Sequence, residues 1–213
     1  MKEIRAGGIT YLQSLRYGTG EWYYLLDHPN GDLYEAEEIH NMGGIVKSSR
    51  LLLVHYPDGE VHEPIHRKDC VVFGDPVWLG GEIGILAVDF FTETVRVHAY
   101  DPAARETREL VSMPLSETGN CYNLMIHAEP LMLTRQPNDG TFELLWPVKS
   151  VFPVSPRETF FATRGEEMYF ADWYEDPEYH EKTVVRHYPD GGKIREMNGS
   201  VEILPDGQWW HLI

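Results

Sequence analysis

The sequence is poor in most of the features that would declare a chemistry. Two cysteines, Cys70 and Cys121, occur in 213 residues, too few for the disulfide framework of a small secreted domain. Neither a Cys-x-x-Cys nor a His-x-His spacing is present, so no metal site is expected. Gly-x-Ser-x-Gly is missing too, which removes the usual elbow of a serine nucleophile. The pairs Gly80-Gly81 and Gly191-Gly192 lie between strand-like runs rather than ahead of a helix. They therefore lack the helix N-terminus that cradles a phosphate. No cofactor is expected.

Positive charge is scarce as well. Lys and Arg number 18 against 34 Asp and Glu, a formal net charge of −16. Affinity for nucleic acid rests on Lys and Arg neutralising phosphates, so nucleic acid is not an expected partner. Long apolar runs are also absent. No segment approaches the roughly 18 consecutive apolar residues of a spanning helix, and Met1 to Gly8 carries no apolar stretch of the kind a secretory signal needs. A membrane is not an expected partner, and the expected location is cytoplasmic.

What remains is β. Helical periodicity is rare, and the apolar runs are short, rich in Val, Ile, Tyr, Phe and Trp, and bounded by Gly, Pro, Asn and Asp. The pattern predicts strands at Ile9–Leu15, Trp22–Leu26, Leu51–Tyr56, Ile83–Phe91, Val95–Tyr100 and Leu131–Arg135. It predicts more at Thr141–Trp146, Thr159–Thr163, Met168–Trp173, Thr183–Tyr188 and Gln208–Ile213. Helical turns are plausible only near Leu33–His40 and Ala103–Arg108. The fold class is all-β.

The turns repeat. Pro-Asp-Gly occurs at Pro57-Asp58-Gly59, Pro189-Asp190-Gly191 and Pro205-Asp206-Gly207, where Pro presets φ, Asp caps and Gly takes a positive φ. A longer match aligns Gly81–Leu110 with Gly165–Met197, each reading as strand, loop, strand, tight turn and short strand. Turn prolines at Pro57, Pro102 and Pro189 imply a period of about 44 residues. Such repeats resemble the blades of a small β-propeller, most simply five blades of four antiparallel strands. The resemblance implies one domain over residues 1–213, with N- and C-terminal strands sharing one blade and so covering exposed edges. A β-barrel or β-sandwich is the alternative, because Asp32–Arg50 fits a blade poorly.

Three strand-end acids, Asp27, Asp89 and Asp172, would converge if the strands were equivalent in a ring. Paired carboxylates are what glycoside hydrolysis uses. The second candidate site is the segment Trp173–Lys182, which replaces the short connection Phe91-Thr92-Glu93 of the sister repeat. Its Trp173, Tyr174, Asp176, Tyr179 and His180 combine flat rings with carboxylates, a setting for a cationic or polyhydroxylated ligand. The expected function is a non-enzymatic module binding a protein or a small polar, cationic or carbohydrate ligand. The enzymatic alternative is a small carbohydrate-active hydrolase using the three acids.

Overall fold

The computed structural model describes residues 1–16, 20–204 and 207–213. The turns expected at Tyr17–Gly20 and Pro205–Gly207 fall mostly outside them. The chain divides into two compact units, Met1–Ala128 and Glu129–Ile213.

In the first unit, β1 (Gln13–Ser14), β2 (Trp22–Leu26), β3 (Leu51–His55) and β4 (Val61–His62) pair in sequence order as an antiparallel meander. The alternation of β2 explains its place. Trp22, Tyr24 and Leu26 point to one side and enter a core with Leu51 and Leu53, while Leu25 packs on the other face with Leu52 and Val54. Only Gln13–Ser14 of the strand expected at Ile9–Leu15 is paired.

Between β2 and β3, at one of the two segments where the sequence allows a helical turn, lies α1 (Leu33–Asn41). Asp32 accepts from the Glu35 backbone N–H and the Glu35 carboxylate accepts from the Asp32 N–H, so two of the helix's unpaired N-terminal donors are satisfied.

The second sheet of this unit holds β5 (Val71–Phe73), β6 (Val77–Trp78), β7 (Ile83–Asp89), β8 (Thr94–Asp101) and β9 (Glu106–Pro114). β5 and β6 pair with opposite ends of β7, and β8 and β9 follow as a meander. The helical turn considered near Ala103–Arg108 is instead a tight turn entering β9. All seven residues of β7 are buried, because the Val71, Phe73 and Tyr24 side chains meet it in the core shared with the first sheet. A 3₁₀ turn, Leu115–Thr118, leads to β10 (Leu124–Ala128).

In the second unit, β11 (Leu131–Arg135), β12 (Thr141–Trp146) and β13 (Ser150–Pro153) pair in succession. β14 (Glu158–Arg164), β15 (Glu167–Glu175), β16 (Tyr179–His187) and β17 (Lys193–Asn198) form a four-stranded antiparallel meander. The core here is aromatic: Phe142 lies 5.4, 5.0 and 5.2 Å, centroid to centroid, from Phe152, Phe160 and Phe170. β18 (Ser200–Ile203) and β19 (Trp209–Leu212) form a hairpin.

Two turns share one sequence and one set of hydrogen bonds. His55-Tyr56-Pro57-Asp58-Gly59 and His187-Tyr188-Pro189-Asp190-Gly191 are identical, and each joins the third strand of a meander to the fourth. In both, Nδ1 of the His meets the Asp carboxylate, at 2.7 and 3.1 Å. The Asp also accepts the N–H two residues on, at 2.9 and 2.8 Å. The five-residue identity extends the Pro-Asp-Gly signal by two residues.

The fold is therefore all-β, with several four-stranded antiparallel sheets beside a five-stranded sheet and a two-stranded hairpin. Among the described residues no sheet closes on itself into a barrel.

Candidate functional site

The three strand-end acids are each engaged locally. Asp27 accepts the backbone N–H of Arg50. Asp89 is 1 % exposed and accepts from Lys68 Nζ at 2.9 Å and from the backbone N–H groups of Phe91 and Thr92 at 3.1 and 3.0 Å. Burial opposes its charge, yet Lys68 and the Thr92 bonds outweigh burial and hold its carboxyl at about 2. It is ionised at neutral pH and has no proton to give. Asp172, also buried, has Arg157 Nε 3.1 Å from Oδ1 and Lys182 Nζ 3.5 Å from Oδ2. The Arg157 contact lacks hydrogen-bonding geometry, so charge rather than direction holds that pair. Asp89, at the end of β7, and Asp172, inside β15, share one device: a carboxylate buried against two cations.

The segment Trp173–Lys182 is not a loop. β15 runs on through Glu175 and β16 begins at Tyr179, with Trp173 opposite Glu181, Tyr174 opposite His180 and Glu175 opposite Tyr179. The strands continue because Trp, Tyr and His side chains stack across them, which offsets the charge repulsion among the acids. On one face Trp173 stacks with Tyr179 at 6.4 Å and both stay more than half exposed, beside Glu175 and Glu181. On the other, Tyr174 stacks on His180 at 4.9 Å, and the Arg157 guanidinium sits 4.4 Å over the Tyr174 ring. Asp176 opens the turn, its N–H donating to the Glu178 carbonyl at 3.1 Å. The arm is an aromatic surface, not a pocket.

A concave site lies in the first unit, where β1, the start of α1, the end of β5 and the approach to β10 enclose about 300 Å³. Its floor is apolar: Leu33, Phe73, Leu86, Leu124 and Ile126. Polar groups converge on the rim, with Gln13 and Arg16 from β1 and its end, His28 and Asp32 ahead of α1, and Asp75 after β5. The Tyr24 hydroxyl donates to Gln13 Oε1 at 3.1 Å. Burial, and then the Asp75 carboxylate, push that hydroxyl well above the ordinary tyrosine range, so it stays a donor.

Two walls of this cavity are fixed from behind. Buried Glu37 on α1 accepts the Cys121 backbone N–H at 2.6 Å, tying the helix to the segment before β10. His127, buried in β10, has its imidazole lowered to about 3 by burial and by the Arg16 charge, so it is neutral at physiological pH. Among the described residues no carboxylate pairs with Arg16, and Asp75 pairs with no cation. An apolar floor with opposite unpaired charges on its rim suits a small polar molecule. The sequence signal was thin, because Arg16 and Asp75 lie about 60 positions apart and outside the predicted strands.

One motif does stand in the sequence against the expectation of no zinc-type spacing. His62-Glu63-Pro64-Ile65-His66 has the His-Glu-x-x-His order, which places two imidazoles on one face only when the segment is a helix. Here His62 ends β4 and the following residues are extended and bent. Pro64 removes a donor that a helix interior needs. Among the described residues no group of three or more His, Cys, Asp or Glu could hold a metal ion, and no helix is long and apolar enough to cross a membrane. No protein-family model matches the chain, and no characterised protein matches it.

Proposed function

We propose that the protein is a binding module whose first unit takes a small polar molecule into the cavity between β1, α1 and β10. The anionic group of the ligand lies on Arg16, and its donors lie toward Asp75. The observation that supports this reading is a guanidinium with no carboxylate partner, Arg16, and a carboxylate whose partner is the neutral Tyr24 hydroxyl rather than a cation, Asp75, on the rim of one apolar floor. A charge-assisted hydrogen bond to Arg16 contributes about 1.5–3 kcal/mol. Arg16→Ala therefore weakens the ligand by about tenfold or more.

A second reading is favoured by the exposed Trp173–Tyr179 stack with Glu175 and Glu181 beside it. It makes the β15–β16 arm a contact surface for a cationic or polyhydroxylated partner, since ring faces and carboxylates both attract a cation. One calorimetric panel of amino acids, carboxylates, amines and sugars tests both readings. It is run on the native chain, on Arg16→Ala and on a chain with the arm cut to the length of Phe91-Thr92-Glu93. Loss in Arg16→Ala alone supports the cavity, and loss in the shortened arm alone supports the arm. Equal binding by all three chains excludes both.

We further read the meanders as propeller-type blades, supported by their strand order and their shared His-Tyr-Pro-Asp-Gly turn. Removal of Gln208–Ile213 then lowers the melting temperature of the whole chain by several degrees, measured by calorimetry. An unchanged transition rejects ring closure.

A further inference from the structure

We propose, resting on the cavity reading above, that the ligand of the Arg16 cavity is a free α-amino acid with an apolar side chain. Its carboxylate lies on Arg16 and its ammonium lies toward Asp75.

The two rim charges are carried by one piece of sheet. The Arg16 carbonyl accepts the Trp78 N–H at 3.1 Å, and Arg16 bridges Val77 at the start of β6. Asp75 stands two residues ahead of Val77, a span of at most about 7 Å of chain. Both side chains act on the same group, the Tyr24 hydroxyl: Asp75 accepts its proton, and the Arg16 charge opposes the effect of Asp75 on it. Yet among the described residues Arg16 and Asp75 form no ion pair. The one Tyr24 proton also serves two acceptors, Gln13 Oε1 at 3.1 Å and the Asp75 carboxylate. Asp75 therefore keeps lone pairs for a ligand, and an ammonium brings three donors.

Opposite charges held close but apart select a zwitterion. An anion would lie against Asp75, and a cation against Arg16. A neutral molecule would strip water from both charges and return no partner to either. In an α-amino acid a single carbon joins the carboxylate to the ammonium, so one small molecule answers both charges at once.

The floor decides the side chain. Leu33, Phe73, Leu86 and Ile126 line it, all buried, and a polar side chain placed there loses its water without finding a partner. Gly74 keeps the floor open: a Cβ at that position would lie 3.1 Å from Leu86 Cδ2 and 3.4 Å from Leu33 Cδ1. At about 300 Å³ the cavity is at the small end of ligand sites, which suits a molecule of amino-acid size.

The test is titration calorimetry of the full chain with leucine and phenylalanine, and with analogues of each that lack one charge. Isocaproate and hydrocinnamate lack the ammonium, isoamylamine and phenethylamine lack the carboxylate, and glycine and aspartate lack the apolar side chain. The better of the two amino acids is expected to bind about tenfold or more tightly than either of its single-charge analogues, each of which loses a charge-assisted bond. Glycine and aspartate are expected to be weaker by about tenfold or more, for want of a buried apolar group. In Asp75→Asn, which keeps an acceptor for Tyr24, the amino acid falls to the level of its deaminated analogue, and that analogue binds at least as well as before. The proposal is overturned, and the cavity reading kept, if isocaproate or hydrocinnamate matches its amino acid on the native chain and is lost in Arg16→Ala. It is likewise overturned if glycine or aspartate binds as tightly as leucine and phenylalanine. Should no probe bind in an Arg16-dependent way, the cavity reading is overturned together with the proposal.

Discussion

Phe142→Ala lowers the unfolding free energy of the second unit by about 3–5 kcal/mol, the range for truncating a buried phenylalanine that leaves a cavity. Phe142 is 1 % exposed and is the hub of the aromatic core, in contact with Phe152, Phe160 and Phe170 from three other strands. Three rings cannot all move into the vacated volume, because each is fixed to its own strand by backbone pairing. The loss is a large part of the roughly 5–15 kcal/mol that holds an ordinary domain together. Urea denaturation measures it, with Val151→Ala as the control. Val151 lies in β13 next to the same core yet is 64 % exposed, so its truncation changes stability by about 0.5 kcal/mol or less. Equal effects of the two substitutions would contradict the packing described.

Glu158→Gln lowers stability by about 3–5 kcal/mol, the cost of leaving one member of a buried ion pair without its partner. Glu158 meets Arg186 through two bonds, 2.8 and 3.0 Å, with the side chains 6 % and 12 % exposed. Arg186 also donates to the Gly191 carbonyl at 2.9 Å, so the pair anchors the second His-Tyr-Pro-Asp-Gly turn. The neutral amide leaves the guanidinium charged and desolvated. The double variant Glu158→Leu with Arg186→Met removes both charges and keeps most of the volume, and it recovers most of the loss. A double variant as unstable as Glu158→Gln alone would mean that volume, not charge, governs this position.

Strand positions were legible where alternation is strong. Trp22–Leu26, Leu131–Arg135 and Thr141–Trp146 pair over the predicted residues, because one side of each faces a core. β5 and β13 were not read as strands, since three or four residues give too short a window for period two. α1 was only one of two possible helical turns. Its capping box, Asp32 with Glu35, was the readable signal.

The candidate sites divide in the same way. The repeat pointed to Asp89 and Asp172 as matching strand ends; Asp89 does end β7, but Asp172 lies inside β15, which continues to Glu175. Their pairing with Lys68 and Arg96, or with Arg157 and Lys182, was not readable. Arg96 and Lys182 come from neighbouring strands, and Lys68 and Arg157 from the segments just before β5 and β14, so no local pattern places them. The aromatic arm was read as a loop because it replaces the short connection Phe91-Thr92-Glu93 of the sister repeat, but cross-strand stacking carries the strands through it to the turn at Asp176.

By itself the sequence determined an acidic, all-β chain with a repeated Pro-Asp-Gly turn, because composition, alternation and turn chemistry act over a few adjacent residues. Only the tertiary structure decided which side chains meet in a cavity. Arg16 and Asp75 are brought together by strand pairing across tens of residues, and the free energy that selects that pairing belongs to the packed sheets as a whole.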